Sequence, residues 1–295
     1  MIKKTVLLFI SIILFVYISN SQDGLKVYIS VDMEGVAGVV ARDQVLADGK
    51  DYNMARMWTT QETNAAIEGA LEAGATEILI NDSHGNMRNI LVHELNPAAR
   101  IISGNPKPLG MMQGIDESFD AVIFIGYHTR AGSANGVLDH SYSSASVYSL
   151  RVNDIEMGET ELNTAVAGYF GVPVVLITGD KELCEQIKSF INPNTVCLEL
   201  KEGIGRYAAN TLVPSVAQKK IKENTTIALN KLNQIEAVKI KNPVKFEIDF
   251  LYAQQADVAE LIPGVERIAP RTVRFYQNDL IEGYRLFRAL LSLAR

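Results

Sequence analysis

Four short runs in the first 180 residues are apolar almost from end to end: Leu25–Val31, 77–80, Ala121–Ile125 and 174–178. Residues 100–103 make a weaker fifth. Runs this short and continuous read as strands buried on both faces, since a half-solvated strand alternates and a buried helix is longer. Between them lie stretches of helical period: 59–73, capped by Thr59 or Thr60 and ended by Gly74, and 159–170, closed by Gly171. Short helices are also expected over 108–115 and after Gly179-Asp180, with Asp180 as N-cap. The alternation predicts an α/β fold, a largely parallel sheet covered by helices. In such a sheet ligands bind beyond the carboxyl ends of the strands.

The residues at those ends carry chemistry. They read Val-Asp32-Met-Glu34-Gly, Asn-Asp-Ser-His84-Gly and Gly-Tyr-His128, in a chain with only four histidines. Side chains at i and i+2 of a strand share a face, so Asp32 and Glu34 can reach one site. Two acids so close repel unless a cation lies between them or one keeps a proton. Gly35 permits the tight turn that follows. Asp82 either orients the His84 imidazole or caps a turn.

His140, in Leu-Asp-His140-Ser, is borne on a loop that can fold back over the same edge. It suits either a further ligand or proton transfer and carbonyl polarisation. Glu159 opens a helix, where a carboxylate serves as a ligand or merely complements the helix dipole; Glu156 and Glu161 compete with it. His93 reads as a surface residue in a helix, and Arg130 as a partner for a substrate carboxylate or a structural ion pair. Carboxylates and imidazoles without thiolates suit zinc, or else manganese, iron or cobalt. Three acids and two histidines exceed what one catalytic zinc needs. They fit two metals about 3.5–4 Å apart that share a carboxylate and a water. Asp32, nearest its strand end, is the expected bridge.

The chain has 295 residues, is 47% hydrophobic and carries a net charge of -6, which suffices for a full core and argues against a nucleic-acid-binding surface. Lys3 and Lys4, the apolar stretch 6–18 and the small residues Ser19 and Ser21 follow the pattern of a secretory signal peptide. The stretch is shorter than the roughly 20 residues of a spanning helix, so cleavage after Ser21 and a periplasmic or secreted destination are expected, with no stable membrane association afterwards. Cys184 and Cys197 read as core residues, a disulfide between them being the lesser expectation. Residues 146–157 alternate and turn at Asn153-Asp154, as a β-hairpin does. From about Lys201 the character changes. A polar helix over 214–232, the alternating strand Val244–Phe250, a short helix, a strand over 272–276 and a terminal helix from Asp279 suggest an α+β lobe. The organisation expected is a signal peptide over 1–21, a catalytic core over 22–200, and a lobe over 201–295 that shapes the pocket or subunit contacts.

Taken in order, Val-Asp32-Met-Glu34-Gly, Asn-Asp-Ser-His84, Gly-Tyr-His128-Thr-Arg-Ala, His140-Ser and Gly-Glu159 resemble the M55 peptidases, the D-aminopeptidase family. The resemblance runs from about Leu25 to the C-terminus. It implies a di-zinc aminopeptidase that releases N-terminal residues, notably D-amino acids, from short peptides. It further implies Asp32, Glu34, His84, His128 and Glu159 as metal ligands, His140 as catalytic, and a ring-like homo-oligomer. One segment departs: the family commonly has Gly-Glu-Leu-Gly-Leu-Asn where this chain has Gly-Glu159-Thr-Glu161-Leu-Asn163, so an extra acid stands near the site. The expected nucleophile is the water shared by both metals. Two rivals stand beside this reading. One is a di-metal hydrolase of another amide or ester, weakened for phosphoesters by the absence of a Gly-rich phosphate cradle. The other is a periplasmic peptide-binding protein without chemistry.

Overall fold

The computed structural model describes residues 24–294, so the expected signal segment lies outside the described residues. Up to Tyr169 the elements are β1 (Leu25–Val31), α1 (Arg42–Val45), α2 (Tyr52–Glu72), β2 (Ala75–Asp82), β3 (Ala99–Ile102), β4 (Ala121–Ile125), β5 (Val147–Val152), β6 (Ile155–Glu156) and α3 (Glu159–Tyr169). Then come β7 (Val174–Asp180), α4 (Lys181–Ile187), β8 (Val196–Gly205), β9 (Ala208–Thr211) and α5 (Pro214–Asn230). The chain finishes with β10 (Val244–Phe250), α6 (Ala253–Ala259), β11 (Val265–Ala269), β12 (Thr272–Gln277) and α7 (Leu280–Leu293).

The α/β class expected from the apolar runs is what forms. Seven strands join in the order β3-β2-β1-β4-β7-β8-β9, parallel except for the β8–β9 hairpin. Burial on both faces is visible in β1 and β4. Val27, Ile29, Val31, Ile123 and Ile125 pack with α2 and α5, whereas Tyr28, Val122 and Phe124 pack into the opposite core with α3 and α7. That second core is roofed by an antiparallel sheet, β11-β12-β10-β5-β6. The predicted hairpin over 146–157 is its β5–β6 edge, turned by Asn153 and Asp154 at φ 49° and 67°. Lys201, where the sequence changes character, lies inside β8. The roof takes β5 and β6 from before that point and β10 to β12 from after it, so the two sheets interleave along the chain.

Three local readings are corrected. Helix α2 starts at Tyr52, not at Thr59; both threonines are buried mid-helix, their hydroxyls donating to the carbonyls of Ala55 and Arg56 at 2.9 and 2.8 Å. That back-bonding gives each hydroxyl a partner inside a helix and removes the need for a capping role. The helices expected over 108–115 and around His93 are single 3₁₀ turns, Gly110–Met112 and Val92–Glu94. Cys184 and Cys197 are joined, with Cα atoms 5.5 Å apart, which fastens α4 to β8. The two contexts, helical and strand-like, are adjacent because a βαβ unit folds its helix back onto the next strand.

Two turns hold β1 against β4 where both end. The Asp32 amide donates to Ile125 O and the Gly35 amide to Gly126 O, each at 2.8 Å. A Cβ on Gly35 would lie 1.9 Å from Tyr127 O, so no larger residue fits without moving the main chain. Gly35→Ala is therefore expected to destabilise the protein by about 3 kcal/mol or more, measured by denaturant unfolding. Thiol titration of the native protein is expected to find Cys184 and Cys197 blocked. Replacing both with Ala, which opens a loop of sequence separation 13, is expected to cost about 3 kcal/mol in the same measurement.

Candidate metal centre

The carboxyl ends of β1, β2 and β4 lie side by side, and each contributes. Beyond β1 come Asp32 and Glu34; beyond β2, His84; beyond β4, His128. The N-terminal residue of α3, Glu159, and the loop residue His140 close the circle from the other side. His84 Nδ1 is 3.1 Å from Asp32 Oδ1 and 3.0 Å from Glu34 Oε2. His128 Nε2 is 3.4 Å from both Asp32 Oδ2 and Glu159 Oε2. His140 Nε2 is 3.5 Å from Glu159 Oε1, and its ring stacks on His128 with centroids 4.2 Å apart. All six residues singled out in the sequence are brought together.

The outer nitrogen of each imidazole settles its tautomer. A carbonyl oxygen only accepts, so the nitrogen facing it carries the hydrogen. His84 Nε2 donates to Val45 O at 2.7 Å, His128 Nδ1 to Thr129 O at 2.8 Å, and His140 Nδ1 to Leu138 O at 3.0 Å. In the neutral ring the inner nitrogen is then a lone pair aimed at carboxylate oxygens. Acceptors facing acceptors are stable only with a proton or a metal between them. Asp32 Oδ2, Glu34 Oε2 and His128 Nε2 are buried without a hydrogen-bond partner. Ligand atoms of Asp32, Glu34 and His128 lie within 4.8 Å of one another, as do those of His128, His140 and Glu159. This donor set fits divalent cations of the zinc type.

With protons alone to neutralise it, the cluster is strongly perturbed. Burial, then repulsion from Glu34, pushes Asp32 up to about 7. Burial would also raise Glu34, but the neighbouring His84 outweighs it and holds that carboxyl well below the usual range. His128 is opposed by burial yet carried up to about 10 by Glu159 and Asp32. His140 alone among the three is lowered, by burial and by the positive His128 ring.

Over the centre lies a cavity of about 570 Å³, whose wall includes Glu34, His84, His140 and Glu159. Asp32 and His128 are not part of that wall; each is buried among the wall's ligand groups, 2% and 1% exposed. Leu138 and Tyr142, two residues either side of His140, both hold positive φ, at 56° and 59°. Such backbone is costly for bulky residues and is retained where surrounding bonds over-determine it. One of those bonds is the Tyr142 amide donating to Glu159 Oε1 at 2.6 Å.

The competitors sort themselves by contact. Glu156 is exposed on β6 and pairs with Arg130 at 3.6 Å. Glu161, the extra acid, is buried but accepts from the Gly158 amide and from Gln186, away from the imidazoles. Arg130 is thus a structural partner of Glu156 and Glu161. Asp180 caps α4 through the Leu183 amide. Asp82 accepts from Asn89 and Ile90 and braces the turn after His84; it does not touch the imidazole, whose partner is Val45 O. His93 is exposed. Lys201 enters the sequence reading only as a boundary, not as a residue of the site. Buried at 4% exposure on β8, it donates to the carbonyls of Glu34, Val36 and Val39. Glu62 of α2, buried and pushed up to about 8 by desolvation, accepts from the Ala37 amide of the same loop. For Glu62 the available signal was a carboxylate on the buried face of α2; Lys201 lies in a strand of mixed exposure and gave none.

The M55 peptidase family model, described as D-aminopeptidase, matches residues 25–289. The D-aminopeptidase of Bacillus subtilis (strain 168) is 36% identical over 274 residues, covering 92% of this chain and 98% of its own length. Among solved structures, the Zn-dependent D-aminopeptidase DppA from Bacillus subtilis, a self-compartmentalizing protease, superposes with a TM-score of 0.88. It is 35% identical and covers 92% of this chain and 98% of that one. With both sheets, and the whole stretch that carries the acids and imidazoles, inside the matched span, the chain belongs to the M55 family of D-aminopeptidases.

Proposed function

We propose that the protein is a zinc-dependent aminopeptidase that removes N-terminal D-residues from short peptides, using two zinc ions per subunit. The observation that carries this reading is the split geometry of Asp32. Its Oδ1 faces His84 at 3.1 Å and its Oδ2 faces His128 at 3.4 Å, so one carboxylate serves two sets of donors. Asp32, Glu34 and His84 would hold one ion, and Asp32, His128 and Glu159 the other. When bound, zinc supplies a water activated near neutral pH and a Lewis acid for the peptide carbonyl.

The remaining work falls to the chain's own groups. His140, whose charged form is disfavoured by burial and whose Nδ1 donates to Leu138 O, keeps Nε2 as a lone pair beside the cavity. It accepts a proton from the attacking water and returns it to the leaving amine. Loops 42–47, 84–89 and 138–145 bound the cavity, which favours short substrates over protein chains.

The zinc dependence and D-preference are supported by the names of the B. subtilis relatives, and the self-compartmentalizing character of one supports a homo-oligomer, here proposed as a ring. Export to the periplasm or beyond rests on the N-terminal sequence pattern. A binding protein without chemistry would have no need of buried lone pairs aimed at acids, so that rival is set aside.

Chelation of purified protein is expected to abolish hydrolysis of D-Ala-D-Ala, and zinc to restore it. Asp32→Asn is expected to lower bound zinc and activity together, whereas His140→Ala keeps the zinc and loses about 10²–10⁴-fold in kcat, checked by metal analysis beside kinetics. Matched L-peptides test the stereochemical preference. Because Asp32 keeps a proton up to about 7 and His128 up to about 10, metal must displace protons to bind. Zinc affinity is therefore expected to rise as pH increases through 7, with proton release seen in calorimetry in buffers of different ionisation heat.

A further inference from the structure

A second chamber, of about 150 Å³, adjoins the first; Gly85, Tyr142 and Ser143 line both. No carboxylate lines it, and Arg288 of α7 does. The Arg288 Nε is buried and has no hydrogen-bond partner, and its guanidinium forms no ion pair among the described residues. The group packs against Gly110. A Cβ there would come within 2.8 Å of Nε and 2.9 Å of Cζ, so the absence of a side chain at that position lets the guanidinium pack close.

A second cation lies near it. Lys107 is mostly buried and donates to Asn81 Oδ1 and Asp82 O, both at 2.6 Å. Burial and then Arg288 oppose its charge, while Asp82 favours it. The Asp82 carboxylate is itself occupied by Asn89 and Ile90 and gives Arg288 no partner. Arg288 therefore faces a small polar space with no counter-ion lining it, and Lys107, outside the lining, adds positive charge nearby. The buried Nε of Arg288 is a donor left without an acceptor, and the planar fork of the half-buried guanidinium matches a carboxylate that would supply one.

We propose that this chamber binds the C-terminal carboxylate of the substrate peptide, with Arg288 as its anchor. The proposal rests on the peptidase reading above and narrows it to free-acid peptides. Because the chamber opens beside the catalytic cavity, one short molecule can span both. Its amino end then lies toward the metal centre and its carboxylate against the guanidinium. A volume near 150 Å³ matches a terminal residue with a small side chain.

The test uses the zinc-loaded, full-length protein and two probes: the isostere of D-Ala-D-Ala in which the scissile carbonyl is reduced to CH₂, as free acid and as C-terminal amide. Calorimetric binding is expected to favour the acid by about tenfold or more. Arg288→Gln is expected to erase that preference, and Arg288→Glu to reverse it, with melting curves verifying that each variant folds. If one variant fails to fold, the other decides. Equal binding of acid and amide by the parent, or a preference that survives Arg288→Gln, overturns the proposal. Neither probe turns over, so hydrolysis of D-Ala-D-Ala, assayed separately, judges the peptidase reading. An acid preference lost in the variant without any hydrolysis leaves the chamber standing and removes the activity.

Discussion

Everything at the strand ends follows from the cost of burying three carboxylates together. Asp32, Glu34 and Glu159 are all at most 4% exposed, and desolvation pushes each toward protonation. Surrounding imidazoles offset part of that cost, but their inner nitrogens present lone pairs unless protonated. A cluster built this way is stable only with positive charge at its centre. The protein has placed the problem where a parallel sheet makes it solvable. Adjacent strands deliver their following residues to one edge, so groups distant in sequence converge without long loops.

Holding such a cluster requires a rigid frame, and much of the frame is polar and buried. The loop after β1 receives an ammonium from β8, a carboxyl from α2, a hydroxyl from Thr211 and an amide from Gln44, each meeting a main-chain group. Next to the centre, Ser30, Ser83, Tyr127 and Asn163 form a chain of hydrogen bonds that ties β1, β2, β4 and α3 together. Such networks stabilise only when every member is satisfied, and they rigidify what they satisfy. The centre is thus set by several elements at once. That shared hold lets Leu138 and Tyr142 keep left-handed backbone beside His140.

Much of this was legible in the sequence, for identifiable reasons. A fully buried strand has few alternatives, so Ala121–Ile125 and the alternating Val244–Phe250 were placed with their observed ends. Scarcity made the histidines informative, and their positions after apolar runs put His84 and His128 on one edge. What the sequence could not carry was pairing between distant segments. The roof joins β5 to β10 across some ninety residues, and no local pattern announces that partnership. The Cys184–Cys197 bond was underweighted because two cysteines in different local contexts carry no distance information. Lys201 looked like the first residue of a polar region, since a single charge does not declare whether it faces water or a ring of carbonyls. Asp82 stays open between two roles in the sequence because a turn brace and an imidazole partner call for the same residue type; the structure selects the brace.

The outer nitrogens of the three histidines have a consequence for how such a centre can change over time. In many metal sites that contact is made by another side chain, which a point mutation can delete. Here the partners are the main-chain oxygens of Val45, Thr129 and Leu138, which every amino acid possesses. Single substitutions at those three positions leave the acceptors in existence, so ring orientation tolerates sequence drift there. It is vulnerable instead to insertions and deletions that shift the peptide planes. Loop length, more than loop composition, is then the quantity that lineages carrying this architecture must preserve.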